Sequence, residues 1–321
     1  MRKALVTGAA GFVGQWLCRA LLRDGWSVTG TTIGMAPAPG ILDASELTRM
    51  QWRGIDLRPG VDRRTVAGLL DRAQPDAIFH LAGIAFVPAA STDPLRALDT
   101  NVTAAVRLTD AVRAHKAAGT LDPVLLVIGS AEQYGRHDAG AALRETDELR
   151  PRTLYAATKV AQEAFALAAA RADGLRIVAT RSFNHSGAGQ APEFLLPSLV
   201  RRAVAARATP GTPVTIGNTD PVRDFLHVED VVRAYILLVE RGRPGEVYNV
   251  SSGEGVTVGA VAAEVLARAG IPDALVPDPA LQRAVDVPWL VGDNSKLRAD
   301  TGWAPRRTRA DIIDDLLNAA P

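Results

Sequence analysis

The first 25 residues constrain this chain more than any other stretch. Residues 3–7 (Lys-Ala-Leu-Val-Thr) form an apolar run of strand length that stops at Gly8-Ala-Ala-Gly11-Phe-Val-Gly14. Phe12, Val13, Trp16, Leu17, Ala20 and Leu21 then recur at helical spacing, and Gly25 stands where a helix-terminating glycine belongs. A strand, a glycine turn and a helix in that order make a phosphate cradle. The missing side chains let backbone N–H groups approach a pyrophosphate, and the helix N-terminus adds partial positive charge. Gly8, Gly11, Phe12, Val13 and Gly14 are therefore the predicted dinucleotide-binding residues. Their spacing, Gly-x-x-Gly-x-x-Gly, is one residue wider in its first gap than the Gly-x-Gly-x-x-Gly fingerprint.

Strand and helix signals continue to alternate. Strands are expected at 27–32, 54–57, 76–83, 124–129 and 176–180, with a loop over 34–50. Helices are expected from Asp62 as N-cap to 74, over 93–118 and over 154–171. Residues 124–129 are so uniformly apolar that they predict a central parallel strand covered on both faces. The pattern predicts an α/β fold, a Rossmann-type doubly wound parallel sheet that binds ligands at the carboxyl ends of its strands. After about residue 184 prolines cut the chain into shorter pieces, with helices expected near 195–207, 228–241 and 257–269 and a strand at 246–250. Residues 1–180 are read as the dinucleotide-binding domain. Residues 181–321 are read as mainly a smaller mixed α/β substrate domain whose chain crosses back to the first.

Composition narrows the partners. With 321 residues, 47% of them hydrophobic, the chain can bury a sizeable core, and a net charge of +1 gives no reason to expect nucleic acid or a membrane surface. Arg2 and Lys3 precede an apolar stretch, but glycines interrupt it and Arg19, Arg23 and Asp24 follow, unlike a secretion signal. No apolar run approaches the length of a membrane span. The lone Cys18 excludes an intrachain disulfide, so a cytoplasmic protein is expected, with Cys18 a small buried residue. No metal site is expected.

The chemistry centres on two stretches. Residues 124–129 run into Ser130-Ala-Glu132, and 25 residues after Ser130 comes Tyr155-Ala-Ala-Thr-Lys159. Tyr155 and Lys159 are four apart and share one side of a helix. An ammonium near a phenol favours the phenolate, which makes Tyr155 a proton-transfer group, with Ser130 placed to hydrogen-bond the same substrate oxygen. Glu132 is a candidate base, or a group that orients the site.

With these residues in place the chain resembles the extended short-chain dehydrogenase/reductases (the NAD-dependent epimerase/dehydratase family) over essentially its whole length. His80-Leu-Ala-Gly83, Asn101-Val102 and Ser130-Ala-Glu-Gln-Tyr-Gly135 add to the glycine turn and the Tyr/Lys pair. Within that group it looks most like the GDP-4-keto-6-deoxy-mannose reductases, through Arg181-Ser-Phe-Asn-His-Ser-Gly-Ala-Gly-Gln190, Pro221-Val-Arg-Asp-Phe225, Arg283-Ala-Val-Asp-Val-Pro288 and Val291-Gly-Asp-Asn-Ser-Lys-Leu297. The resemblance implies roles. Leu81, Ala82, Gly83, Asn101, Tyr155, Lys159 and Ser182 would meet the cofactor, Ser182 near the nicotinamide, and Asp56 and Leu57 would flank its adenine. Ala85, Ser130, Glu132, Tyr155 and Asn184 would meet the sugar diphosphate. Arg201, Arg223 and Arg283 would hold the nucleotide diphosphate, and Asp286 a ribose hydroxyl. Relatives commonly dimerise through the two long helices, so a homodimer is expected.

Two departures from the family pattern refine this. The acidic residue that usually binds the adenosine 2′-hydroxyl is absent, and Thr31, Thr32, Ile33 and Gly34 occupy its neighbourhood. No carboxylate there repels a 2′-phosphate and no arginine there grips it, so NADP is favoured and NAD stays open. Ala131 stands where related dehydratases carry a polar residue beside the glutamate, which argues against dehydration. The expected activity is reduction of a nucleotide-bound 4-keto-6-deoxy sugar, GDP-4-dehydro-6-deoxy-D-mannose to GDP-D-rhamnose. The alternative is a nucleotide-sugar 4,6-dehydratase or epimerase that retains its NAD(P).

Overall fold

The computed structural model describes residues 1–58, 60, 63–137, 140–209, 211–272, 274–281 and 287–320. Its first half runs β1 (Lys3–Thr7), α1 (Phe12–Arg23), β2 (Ser27–Thr32), α2 (Ala44–Arg49), β3 (Gln51–Gly54), α3 (Arg63–Ala73), β4 (Ala77–His80), α4 (Val87–Thr92), α5 (Pro94–Leu98), α6 (Ala104–Ala117), β5 (Val124–Ser130), α7 (Leu154–Asp173) and β6 (Ile177–Ser182). The second half runs β7 (Asn184–Ser186), α8 (Leu195–Ala208), β8 (Val214–Ile216), β9 (Val222–His227), α9 (Val228–Arg241), β10 (Val247–Val250), β11 (Gly255–Thr257), α10 (Val258–Arg268), β12 (Leu275–Pro277), β13 (Trp289–Leu290), α11 (Ser295–Thr301) and α12 (Arg309–Ala319).

Seven parallel strands form the main sheet in the order β10-β6-β5-β4-β1-β2-β3. This is the Rossmann-type doubly wound sheet. The strand order reverses between β1 and β4, which opens a crevice at their carboxyl ends. Alternation of side chains splits the core into two layers. Val6, Phe79 and Leu126 pack under α1 and α9 with Leu17, Leu21 and Leu238. Leu5, Ile78 and Leu125 pack on the other face against α3, α6 and α7, with Leu69, Leu108 and Ala166. Both faces of β4 and β5 are thus covered, as their unbroken apolar sequence requires.

A smaller assembly lies in the second half. β9 pairs with β11, β13 and β7, β8 pairs with β12, and Leu199, Val261, Leu266, Ile312 and Ile313 form its core. α9 and β10 return to the main sheet, where Val250 pairs with Ser182.

Four sequence expectations shift. The helix expected over 93–118 runs from Pro94 to Ala117 but is distorted within. Asp93, just before Pro94, is held out of helical space (φ −135°, ψ 83°), and a single π-turn at Asp99–Thr103 joins α5 to α6. The loop expected over 34–50 contains α2, started by a reciprocal cap in which Asp43 Oδ1 accepts from the Glu46 amide at 2.8 Å and Glu46 Oε2 from the Asp43 amide at 3.0 Å. β3 ends at Gly54, where its ladder with β2 stops, so Asp56 and the buried Leu57 lie beyond the strand. β6 continues to Ser182 because its ladder with β5 extends to the Ser130–Ser182 pair. Asp62, read as the N-cap of α3, lies outside the described residues.

Candidate active site

Close packing explains the cradle's glycines. Gly8 takes a left-handed conformation (φ +70°), and a Cβ there would stand 2.9 Å from the Ala82 amide nitrogen. A Cβ at Gly14 would stand 2.3 Å from the Gly8 carbonyl oxygen. Gly11, the N-cap of α1, has no side chain to satisfy the N–H groups that follow at Phe12, Val13 and Gly14. Those donors, with the helix dipole behind them, fit the pyrophosphate of a dinucleotide. A cleft of about 460 Å³ runs from this turn, between Thr31 and Thr32 on one side and Leu81, Ala82 and Gly83 on the other, to Asp56 and Leu57. Arg58 and Arg96 also line it.

The inner end of the cleft meets the catalytic candidates. A Cβ on Gly83 would lie 3.5 Å from Lys159 Nζ and 2.9 Å from Asn101 Oδ1. Asn101, on the π-turn, accepts from the Ile84 amide at 2.8 Å and donates to Thr158 Oγ1 at 2.9 Å, which ties the Gly83 loop to α7. Lys159 is buried and donates to the Ile128 carbonyl and to Gln162 Oε1, both at 2.9 Å. Burial lowers its pKa to about 8.

Tyr155 is buried one turn earlier on α7. Burial raises its pKa to about 12, the Ser130 hydroxyl hydrogen-bonded to the phenol lowers it, and the Glu132 charge raises it. The expectation of a phenol acidified by Lys159 does not hold in this form, because the ammonium is turned onto Ile128 and Gln162 and burial prevails. What the fold does bring together is Ser130, Tyr155 and Glu132.

Ser130 ends β5 and caps a short 3₁₀ turn, Ala131–Tyr134. Its Oγ accepts from the Glu132 amide at 3.2 Å, and its own amide donates to Gln133 Oε1 at 2.8 Å. Gln133 Nε2 in turn donates to Glu163 Oε2 at 2.8 Å, and Glu163 is paired with Arg181 at 2.7 Å. Sequence reasoning missed Gln133, Glu163 and Arg181 as supports of the site. The Ser-x-x-Gln spacing from Ser130 to Gln133 is a capping signature that could have revealed the first of them.

Toward the second half, Ser182 Oγ lies 2.7 Å from the Tyr235 hydroxyl, and both residues are buried. Asn184 opens β7 and pairs in register with Phe225 of β9. Arg223 is buried in β9 and donates to the Val222 carbonyl at 2.9 Å, Arg201 is exposed on α8, and Ala85 is exposed before α4. Neither arginine lines the 460 Å³ cleft. Arg283 and Asp286 lie outside the described residues. His185 Nδ1 is 2.9 Å from the Phe183 carbonyl, which gives that ring a local backbone partner.

The profile of the GDP-mannose 4,6-dehydratase family matches residues 5–316. The chain belongs to that family. It is 33% identical over 320 residues to the GDP-6-deoxy-D-mannose reductase of Pseudomonas aeruginosa, covering 99% of this chain and 96% of the relative. A dTDP-glucose 4,6-dehydratase of Escherichia coli is 27% identical over 95% of this chain and 90% of its own. Among solved structures, RMD from Pseudomonas aeruginosa complexed with NADPH superposes with a TM-score of 0.81 at 29% identity, over 99% of this chain and 98% of that one. UDP-glucose 4-epimerase of Thermus thermophilus, in complex with NAD, superposes at 0.83 and 27% identity, with the same coverage. This member of the family shares its fold with reductases, dehydratases and epimerases, so the residues of the site must separate them. Among the described residues no helix is long and apolar enough to cross a membrane.

Proposed function

We propose that the chain is an NAD(P)H-dependent reductase of a nucleotide-bound 4-keto-6-deoxy sugar, converting GDP-4-dehydro-6-deoxy-D-mannose to GDP-D-rhamnose. The carrying observation is the Ser130 hydroxyl on the buried Tyr155 phenol, at the carboxyl end of β5 and beside the dinucleotide cradle. Near-full-length likeness to a GDP-6-deoxy-D-mannose reductase supports the substrate. Bound NADPH would supply the hydride. Tyr155, kept neutral at physiological pH by a pKa near 12, would give its proton to the oxygen at C4. Ser130 would hold the same oxygen as charge develops on it. Lys159 would hold the cofactor ribose, and Ser182 would lie against the nicotinamide. Arg201, Arg223 and Arg283 would hold the nucleotide diphosphate, arginine forks suiting its oxygens, with Asn184 near the sugar diphosphate and Asp286 on a ribose hydroxyl.

Exposed Leu95 and Leu98 of α5 and Leu154 and Phe165 of α7 support a homodimer through this face. The buried single cysteine supports a cytoplasmic location.

The second reading is a 4,6-dehydratase or epimerase that retains its NAD(P). Its support is Glu132, whose charge acts on Tyr155. Against it, Ala131 is buried in an apolar cluster with Tyr134, Leu143 and Phe183 and brings no second polar group beside Glu132. Incubation with the 4-keto sugar and NADPH tests the pair. The reductase consumes one NADPH per 4-hydroxy product; turnover of GDP-mannose with no net loss of NADPH establishes the rival.

A further inference from the structure

A lysine ammonium carries three N–H donors, and at Lys159 the fold engages two of them. One goes to the Ile128 carbonyl of β5 and one to Gln162 Oε1, both at 2.9 Å. The ammonium also lies against Gly83, a lining residue of the cleft, where a Cβ would stand 3.5 Å from Nζ. Two acceptors on the inner side thus leave the third donor for the cleft side. Ile128 contributes a main-chain oxygen that every residue type would supply. Gln162 is therefore the side chain that decides the arrangement.

Gln162 follows Lys159 by three positions on α7, which makes the two side chains neighbours. An ammonium only donates, so the amide must present its oxygen to it. Gln162 is buried, and its Nε2 has no hydrogen-bond partner among the described residues. An unpaired buried amide nitrogen destabilises the fold, and an apolar side chain of similar size would avoid that. The amide is thus poor packing material and a good acceptor for the lysine. The same tether explains why the raised pKa of Tyr155 answers to burial, Ser130 and Glu132 and not to the ammonium.

The other charged and titratable groups around α7 do not take over this task. His80, at the end of β4, is buried, and burial, helped by the Lys159 charge, pushes its pKa down to about 3, so the ring is neutral. Glu163, next along α7, pairs with Arg181 of β6 at 2.7 Å. Glu132, after β5, acts on Tyr155, and Asp99 of the π-turn acts on Arg58.

We propose that Gln162 is a positioning residue for the cofactor, its amide oxygen holding the Lys159 charge and aiming the remaining N–H past Gly83 into the dinucleotide cleft. The assignment rests on the dinucleotide-dependent reading above and adds to it the residue that sets its lysine.

The chain has four lysines, so labelling them with carbon-13 at Cε gives the Lys159 titration by NMR without substrate, with Lys159→Arg assigning the signal. Calorimetric titration of NADPH from about pH 6.5 to about pH 9.5 reads the consequence for binding. Gln162→Met removes the acceptor at similar volume and should lower the Lys159 midpoint by about one pH unit. Gln162→Glu supplies a charged acceptor and should raise it by about as much. NADPH affinity should fall about tenfold as the ammonium is lost, at lower pH in Gln162→Met and at higher pH in Gln162→Glu than in the unmodified chain. At the acid end, where each protein keeps the ammonium, the affinities should agree within about threefold. Weakening by the same factor at every pH overturns the proposal and makes Gln162 a packing residue. Unmoved Lys159 midpoints in both variants overturn it too, as does NADPH binding that ignores a midpoint that has moved. Should Gln162→Met fail to fold, the direction of the shift in Gln162→Glu decides alone. Midpoints that move as expected in a chain that binds no NADPH at any pH overturn the dinucleotide reading itself.

Discussion

Gln133 Oε1 accepts the backbone N–H of Ser130 at 2.8 Å, so the residue that closes the central strand is fixed from beneath rather than from the cleft. The contact continues through Glu163 to Arg181, and all three side chains are buried. The Ser130 hydroxyl is thus set by a chain of polar groups that never face the cleft. Such a network is strong only when every member is satisfied.

Replacing Gln133 by Leu keeps most of the volume and removes both hydrogen bonds. It leaves the Ser130 amide without its partner and takes one of two donors from Glu163 Oε2, which keeps Arg181 Nε, at a cost of about 2 kcal/mol. Displacing Ser130 by a fraction of an ångström should also lower kcat by about tenfold or more. Urea titrations and initial rates measure the two effects. A destabilised variant of full activity makes the network purely structural.

Gly14→Ala tests the cradle. The new methyl would meet the Gly8 carbonyl oxygen 2.3 Å away and the Ala9 Cα 2.9 Å away, both backbone atoms that cannot rotate clear. The expected result is a loss of about 1–3 kcal/mol in stability, and dinucleotide affinity reduced with it. Thermal melts with and without NADPH read both. Binding at native strength by a stable Gly14→Ala variant places the pyrophosphate elsewhere.

Tyr155→Phe keeps the buried ring and removes the proton. Turnover should fall roughly a hundredfold to ten-thousandfold, the range for loss of a general acid, while NADPH binding stays within about twofold. Stopped-flow single turnovers separate the steps. Normal turnover takes Tyr155 out of the chemistry.

Lys159 gives a pH-dependent stability. Its folded pKa, about 8, lies below its ordinary value of 10.5 because burial disfavours the ammonium. Between those two values the unfolded chain binds more protons than the folded one, so this group's contribution to stability rises with pH across that window and is constant below it. The stability of the native chain minus that of Lys159→Met should therefore increase from about pH 8 to 10. A flat difference across that range means the buried amine titrates as it does in water.

Much of this molecule could be read from local sequence. Residues 3–25 specify strand, turn and helix by spacing alone, and Gly8 and Gly14 are where their own packing requires glycine. The apolar run of β5 fixes its central place, and Tyr155 and Lys159 share a side of α7 through helical geometry. Local spacing failed where contacts between distant residues decide the outcome. The helix expected over 93–118 carries a π-turn where Asn101 accepts from the Ile84 amide, and β3 lies at Gln51–Gly54 rather than 54–57 because those residues pair with Thr29–Thr32 of β2.

Sequence by itself determined the alternation of strands and helices, the glycine cradle and the identity of the proton-transfer candidates, since each depends on residues within a turn or two of one another. Only the tertiary structure decided what surrounds them. It buried Tyr155 so that desolvation raises its pKa, turned Lys159 onto Ile128 and Gln162, and set Arg58 and Arg96 along the same cleft as Thr31 and Thr32. Electrostatic environment depends on distance in space and on exclusion of water, and neither is written in the order of residues along the chain.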